Sequence, residues 1–185
     1  MEPLNLRLRE WQEGDLPLLR ASLGDPEMTR FLGGPESAEQ IAARHLRYAA
    51  LAGTGTGHML VILAGPEEMP AGSVGYWEKE WQGRVVYEMG WSVLPEYQGG
   101  GIGTAATMLA LEHARREGRH RFVHAFPSVE NPASNAVCRK AGFTLLGASD
   151  FEYPKGSWMR CNDWRFDLGE GLQGGLQGGS SRPIE

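Results

Sequence analysis

The chain is short of cysteine, of net positive charge and of long apolar runs. Cys138 and Cys161 are its two cysteines among 185 residues, and they form no CxxC pair. A framework of several disulfides is excluded, one disulfide stays open, and a reduced, cytoplasmic protein is expected. Lys and Arg number 18 against 23 Asp and Glu, a net charge of -5. No basic surplus or stripe marks a nucleic-acid partner. No apolar run reaches the roughly 18 residues of a membrane helix. Met1-Glu2-Pro3-Leu4 also lacks the charged-then-apolar layout of a signal peptide, so no membrane partner is expected. No H-x-x-x-H or HExxH spacing occurs, so no metal site is expected.

What is present suffices for a core: 41% of residues are hydrophobic and six are tryptophan. The length fits one domain, read here as residues 1–169. Glycine is in surplus, at 26 residues, about twice its ordinary share of about 7%. No Gly-X-Y period runs through the chain, so collagen is excluded. Six of the glycines fall after residue 168, where Leu172-Gln173-Gly174-Gly175 repeats as Leu176-Gln177-Gly178-Gly179. That stretch has too little to bury to offset its ordering entropy, and residues 170–185 read as a flexible tail. Four more stand together in Gly99-Gly100-Gly101-Ile102-Gly103.

Hydrophobic period and turn residues predict strands over Leu4–Arg9, His58–Ala64, Ser73–Trp81, Arg84–Leu94, His120–Phe126, Phe143–Leu146 and Trp158–Leu168. They predict helices over Asp15–Leu23, Ser37–Leu51, Ile102–Glu117 and Pro132–Ala141. Ser37 and Gln40 make a capping box, and Gly118 and Gly142 end the last two helices. The order β-α-α-β-β-β-α-β-α-β-β predicts an α/β (α+β) domain. Its central sheet is mixed, with six to seven strands flanked by about four helices.

The glycine cluster lies on a strand-to-helix turn. The first four N–H groups of a helix lack intrahelical partners, and glycine lets a bound group come close to the backbone. Together they make an anion site, most often for phosphate. A P-loop would need Lys after Gly103, where Thr104 stands. A dinucleotide fingerprint would need an acid at the end of the next strand, where Ala125-Phe126-Pro127 stands.

Gln98-Gly99-Gly100-Gly101-Ile102-Gly103 also reads as Q-x-x-G-x-G. Here the chain resembles the GNAT superfamily of acyl-CoA-dependent N-acetyltransferases. Asn131-Pro132-Ala133-Ser134-Asn135 with Lys140-Ala141-Gly142-Phe143 resembles that family's second cofactor segment. Met28-Thr29-Arg30-Phe31-Leu32-Gly33-Gly34 resembles its RimJ/RimL-like branch.

The resemblance implies transfer of an acetyl group from acetyl-CoA directly to a primary amine, either a protein N-terminus or a small molecule. It places the pyrophosphate on Gln98 to Thr104. The pantetheine arm falls along Val93 and Leu94, with Asn131 and Ser134 beside it. Backbone amides of Ser92, Val93 and Leu94 are candidates to polarise the thioester carbonyl. Glu88, mid-strand and seven residues before Pro95, matches the place of a catalytic glutamate and is the candidate base. Many relatives carry a tyrosine seven positions after the motif asparagine, where this chain has Cys138. Cys138, Ser134 or water would protonate the leaving thiolate. That missing tyrosine also leaves open a catalytically silent acyl-CoA-binding or sensing module. The acceptor is expected between Gly24–Ser37 and Glu152–Met159, and a homodimer is allowed. His124 is placed to face the acetyl site, while His45 and His113 are expected on solvated helix faces. Trp77, Trp81 and Trp91 read as core or pocket wall.

Overall fold

The computed structural model describes residues 5–153 and 155–169. The expected tail at 170–185 and the expected strand start at Leu4 lie outside the described residues. In chain order the elements are β1 (Leu6–Glu10), α1 (Leu16–Leu23), α2 (Ala38–Thr54), β2 (Gly57–Ala64), β3 (Met69–Trp81) and β4 (Arg84–Val93). Then follow α3 (Ile102–Glu117), β5 (Phe122–Ala125), α4 (Pro132–Lys140), β6 (Thr144–Glu152) and β7 (Trp158–Asp167). All seven strands form one sheet in the order β1-β2-β3-β4-β5-β7-β6. The β4–β5 pair is parallel and the others are antiparallel. The mixed α/β fold, with seven strands and four helices, is the expected one.

β2 shows how the layers are built. Its side chains alternate between the two faces of the sheet. Met59, Val61 and Leu63 join Trp11, Leu19 and Ile41 beneath α1 and α2. Leu60, Ile62 and Ala64 join the core beneath α3. Buried on both faces from Met59 to Ala64, β2 is apolar over that stretch. α3 lies close to the sheet because Ala106, Ala110 and Ala114, all fully buried, form its inner stripe. The expected capping box at the start of α2 is present, with Ser37 Oγ accepting from Gln40 N–H and Gln40 Oε1 accepting from Ser37 N–H. Among the described residues no helix is long and apolar enough to cross a membrane.

Three details differ from expectation. β6 runs on to Glu152, because an exposed edge strand held by cross-strand pairing with β7 needs no apolar run. β3 begins at Met69, ahead of Gly72. His45 and His113 do not lie on open solvated faces, and His113 is half-buried. His45 is buried and accepts from Trp11 Nε1 at 3.1 Å, and His113 Nδ1 lies 2.7 Å from Tyr76 Oη.

Candidate active site

The parallel seam between β4 and β5 is short. It pairs Tyr87 with Val123 and Glu88 with His124. β4 continues to Val93 paired with β3, while β5 stops at Ala125. The strands therefore part at Glu88, and a cleft of about 1040 Å³, open to solvent, begins there. Met89, Gly90, Trp91 and Ser92 line one arm, and Ala125, Phe126, Pro127 and Ser128 the other.

The open arm of β4 presents backbone groups in alternation. Leu94 N–H donates to Ala71 C=O at 2.8 Å, so that amide faces β3. A period of two turns the amides of Ser92 and Gly90 the same way. The amides of Val93 and Trp91 face the open edge, while that of Met89 faces β5, where Glu88 still pairs with His124. This corrects the sequence expectation: Ser92 and Leu94 amides are committed to β3, and Trp91 joins Val93 as a free donor. Ser92 contributes its hydroxyl instead, a buried Oγ on the cleft wall without a hydrogen-bond partner.

At the end of β4 the chain turns into α3. Gln98 Nε2 donates to Val93 C=O at 2.8 Å and contacts Met28 Sδ at 3.5 Å, which ties the turn to both β4 and the Met28–Leu32 segment. Gly101, the N-cap of α3, has φ 85° and supplies no side-chain cap, and Gly99 has φ 81°. The N–H groups of Ile102, Gly103 and Thr104 thus open the 16-residue helix with no side-chain acceptor. Gly100 is different. Its φ is not left-handed, and an added Cβ would meet nothing within 4 Å. The fold places no demand for glycine there, whereas a group bound close to the backbone would. A Cβ on Gly103 would lie 3.4 Å from Val137 Cγ2 and 3.6 Å from Val93 Cγ2, in ordinary contact, where α3, α4 and β4 meet.

α4 reaches the cleft through its first turn. Asn131 Oδ1 accepts from Ser134 N–H at 3.0 Å, so Asn131 is the N-cap, and both residues line the cleft. Asn135 anchors this turn. Its Nδ2 donates to Ser128 and Asn131 carbonyls, and its Oδ1 accepts from Asn162 Nδ2 and Trp164 Nε1. Cys138 lies elsewhere. It is fully buried in the apolar core and is not on the cleft wall, and burial pushes its thiol up to about 12.

Glu88 is the carboxylate at the apex, its side chain 17% exposed, with Lys79 Nζ 3.2 Å from Oε2. Lys79 also lies over the Phe151 ring at 4.4 Å. His124, the neighbour of Glu88 across the seam, is buried and bonded through Nδ1 to Asp163 Oδ1 at 2.6 Å; Asp163 also accepts from Trp81 Nε1. His124 and Trp81 are therefore structural partners of Asp163, while Trp77 and Trp91 line the cleft.

The far wall comes from both segments expected beside an acceptor. Phe31 and Leu32 come from the first, Tyr153 and Met159 from the second. Arg44 of α2, which no motif marks, joins them. It donates to Glu36 as an ion pair and to Tyr48 and Tyr153 hydroxyls at 3.5 and 3.0 Å. Burial works to lower the Arg44 pKa, but Glu36 and the two tyrosines outweigh it and hold the guanidinium above its ordinary value.

Comparison with known proteins gives the family. A mycothiol acetyltransferase from Saccharomonospora viridis is 38% identical over 72 residues, a stretch that is 39% of this chain and 22% of that protein. The match thus spans about a fifth of that relative's length. Among solved structures, RimL, a ribosomal L7/L12 alpha-N-protein acetyltransferase in complex with coenzyme A, is 26% identical with a TM-score of 0.73, covering 88% of this chain and 93% of its own. Spermidine N-acetyltransferase from Vibrio cholerae shares the fold at 18% identity, with a TM-score of 0.72 and coverage of 88% and 95%. The family model for the acetyltransferase (GNAT) domain matches residues 5–144, from β1 through the glycine turn and α4, and the chain belongs to the GNAT acetyltransferase family.

Proposed function

We propose that this protein moves an acetyl group from acetyl-CoA directly to a primary amine, with Glu88 as the general base. The observation that carries the reading is the parting of β4 and β5 at Glu88, which sets a carboxylate at the apex of a cleft between two candidate cofactor segments. Bound acetyl-CoA supplies the activated thioester. The α3 N-terminus and the uncapped amides of the glycine turn hold its pyrophosphate. The free amides of Trp91 and Val93 pair with the pantetheine arm as with an added strand, and one of them polarises the thioester carbonyl.

A primary amine with a pKa near about 10.4 is mostly protonated at neutral pH and cannot attack. Glu88 attracts the ammonium and then takes its proton, directly or through one water. Trp77 lines the same wall. Lys79 is already paired with Glu88, which orients the carboxylate until the amine arrives. For the departing thiolate, Ser134 lines the cleft and Cys138 does not, so Ser134 or water supplies the proton.

The acceptor is a protein N-terminus or a small amine. The 26% identity to RimL over most of both chains supports the RimJ/RimL-like branch and a peptide N-terminus. Thiol release measured with acetyl-CoA across small amines and peptides with free N-termini tests the reading. Turnover on at least one acceptor, lost in Glu88→Gln, is expected. Acetyl-CoA binding without turnover on any acceptor would support a silent module instead.

A further inference from the structure

A second cluster of chemistry-bearing side chains lies far from the cleft. Glu10 at the end of β1, His58 in β2 and His113 in α3 bring one ligand-type atom each within 4.8 Å of one another. His113 is 12 positions after Gly101, so the cluster sits roughly 18 Å along α3 from the glycine turn at 1.5 Å per residue.

The outer contacts of the two histidines are informative. His58 Nε2 lies 3.2 Å from Glu117 Oε1, while His58 Nδ1 lies 2.6 Å from Glu10 Oε1. His113 Nδ1 lies 2.7 Å from Tyr76 Oη, which leaves Nε2 as its remaining ring nitrogen. His113 thus has one nitrogen held by an outer partner and the other left for the centre, while His58 has Nε2 toward Glu117 and turns Nδ1 to the centre, where it meets Glu10. A histidine that ligates a metal donates its second ring N–H to a carboxylate or other acceptor in this way. Glu117 and Tyr76 occupy those outer positions.

We propose that Glu10, His58 and His113 bind a divalent transition-metal ion, with zinc(II) as its representative, and that Glu117 and Tyr76 orient the two imidazoles. The donor set of two imidazoles and one carboxylate suits this class of ion. At bond lengths of about 2.1 Å, tetrahedral donors lie about 3.4 Å apart, so the present separations need a shift of about an ångström. Glu10 has the freedom to make it, since its side chain is 44% exposed. The ion would staple β1 and β2 to the last turns of α3. Its other coordination positions go to water.

The full chain, stripped with EDTA, is titrated with zinc chloride by calorimetry. One ion per chain is expected. Tyr76→Phe should weaken binding about 10–100-fold, as loss of an outer partner does, and His58→Ala and His113→Ala should weaken it further. Retained acetyl-CoA binding shows that each variant is folded. A second measurement needs no variant: in the imidazole ¹H–¹⁵N spectrum zinc should move His58 and His113 and leave His45, His120 and His124 in place. Cobalt(II) should give visible bands without thiolate charge transfer. No zinc binding, stoichiometric binding kept by both alanine variants, shifts confined to other histidines, or a thiolate band from Cys138 or Cys161 would each overturn the proposal.

Discussion

Alanine substitutions along the glycine turn should fall into two classes. At Gly99 and Gly101 the backbone is left-handed, with φ of 81° and 85°, and a side chain costs about 1–2 kcal/mol at each. At Gly100 the φ is not left-handed and the Cβ position is open. Gly100→Ala should leave stability unchanged or raise it by about 0.4–1 kcal/mol, through the reduced entropy of the unfolded chain. Binding should respond in the opposite way. A methyl group over the turn keeps a phosphate from the uncapped amides. Loss of one hydrogen bond to a charged group is worth about 1.5–3 kcal/mol, or about 10–150-fold in Kd. Urea melts measure the first quantity, and calorimetric titration with coenzyme A measures the second. Pantetheine, which has no pyrophosphate, serves as the control and should bind both proteins equally. A folded Gly100→Ala protein that binds coenzyme A as tightly as the parent would refute the assignment of this turn to the pyrophosphate.

Cys138 and Cys161 are buried, and burial raises their thiols from an ordinary 9.0 to about 12 and about 11, with Glu88 adding to the rise at Cys161. Both should resist Ellman's reagent at pH 8 in the folded protein and react fully in denaturant; rapid labelling of the native protein would contradict this. Because the folded pKa values are raised, their stabilising contribution is complete below about pH 9. It is lost as pH rises toward 11–12, which a thermal melt series across that range should show. Cys138→Ala should cost about 1 kcal/mol of stability and keep kcat within about tenfold, since the thiol is off the cleft. Asn135→Ala should cost about 2–4 kcal/mol, because it strands the donors of Asn162 and Trp164 and leaves the Ser128 and Asn131 carbonyls with their backbone partners alone. A drop below 1 kcal/mol in urea melts would mean that water replaces these bonds.

Much of this was legible in the sequence because local signals agreed. β2 is apolar from Met59 onward, β4 is rich in β-branched and aromatic residues, Ser37 and Gln40 mark the start of α2, and Gly118 ends α3 where its helical period stops. The ends of strands were less legible. Ser149 and Asp150 read as loop, yet they pair with Cys161 and Arg160 in β7, a long-range contact that propensity cannot see. The cleft divided in the same way. The glycine turn and the Asn131 segment carry compact motifs, and Glu88 stands at a fixed distance from Pro95. Lys79 was in principle readable. Gln82-Gly83 makes a two-residue turn with both φ positive, which pairs Trp81 with Arg84 and Lys79 with Val86 and so sets Lys79 diagonal to Glu88. Arg44, Tyr48 and Tyr153 had no such signal, since α2 and the β6–β7 loop meet through tertiary packing alone. His45 and His113 were misplaced because a helix face read from composition does not reveal which neighbour covers it. His113 and Glu117 are four residues apart on α3 and share one face, a spacing that a search confined to histidine pairs passes over.

The central claim rests on Glu88 at the point where β4 and β5 part. Steady-state thiol release with acetyl-CoA and the best amine or peptide acceptor, compared between the parent protein and Glu88→Gln, tests it most directly. In Glu88→Gln, kcat should fall by about 10²–10⁴ while the Kd for acetyl-CoA, measured separately, stays within about twofold. An unchanged kcat in a folded Glu88→Gln protein would contradict it.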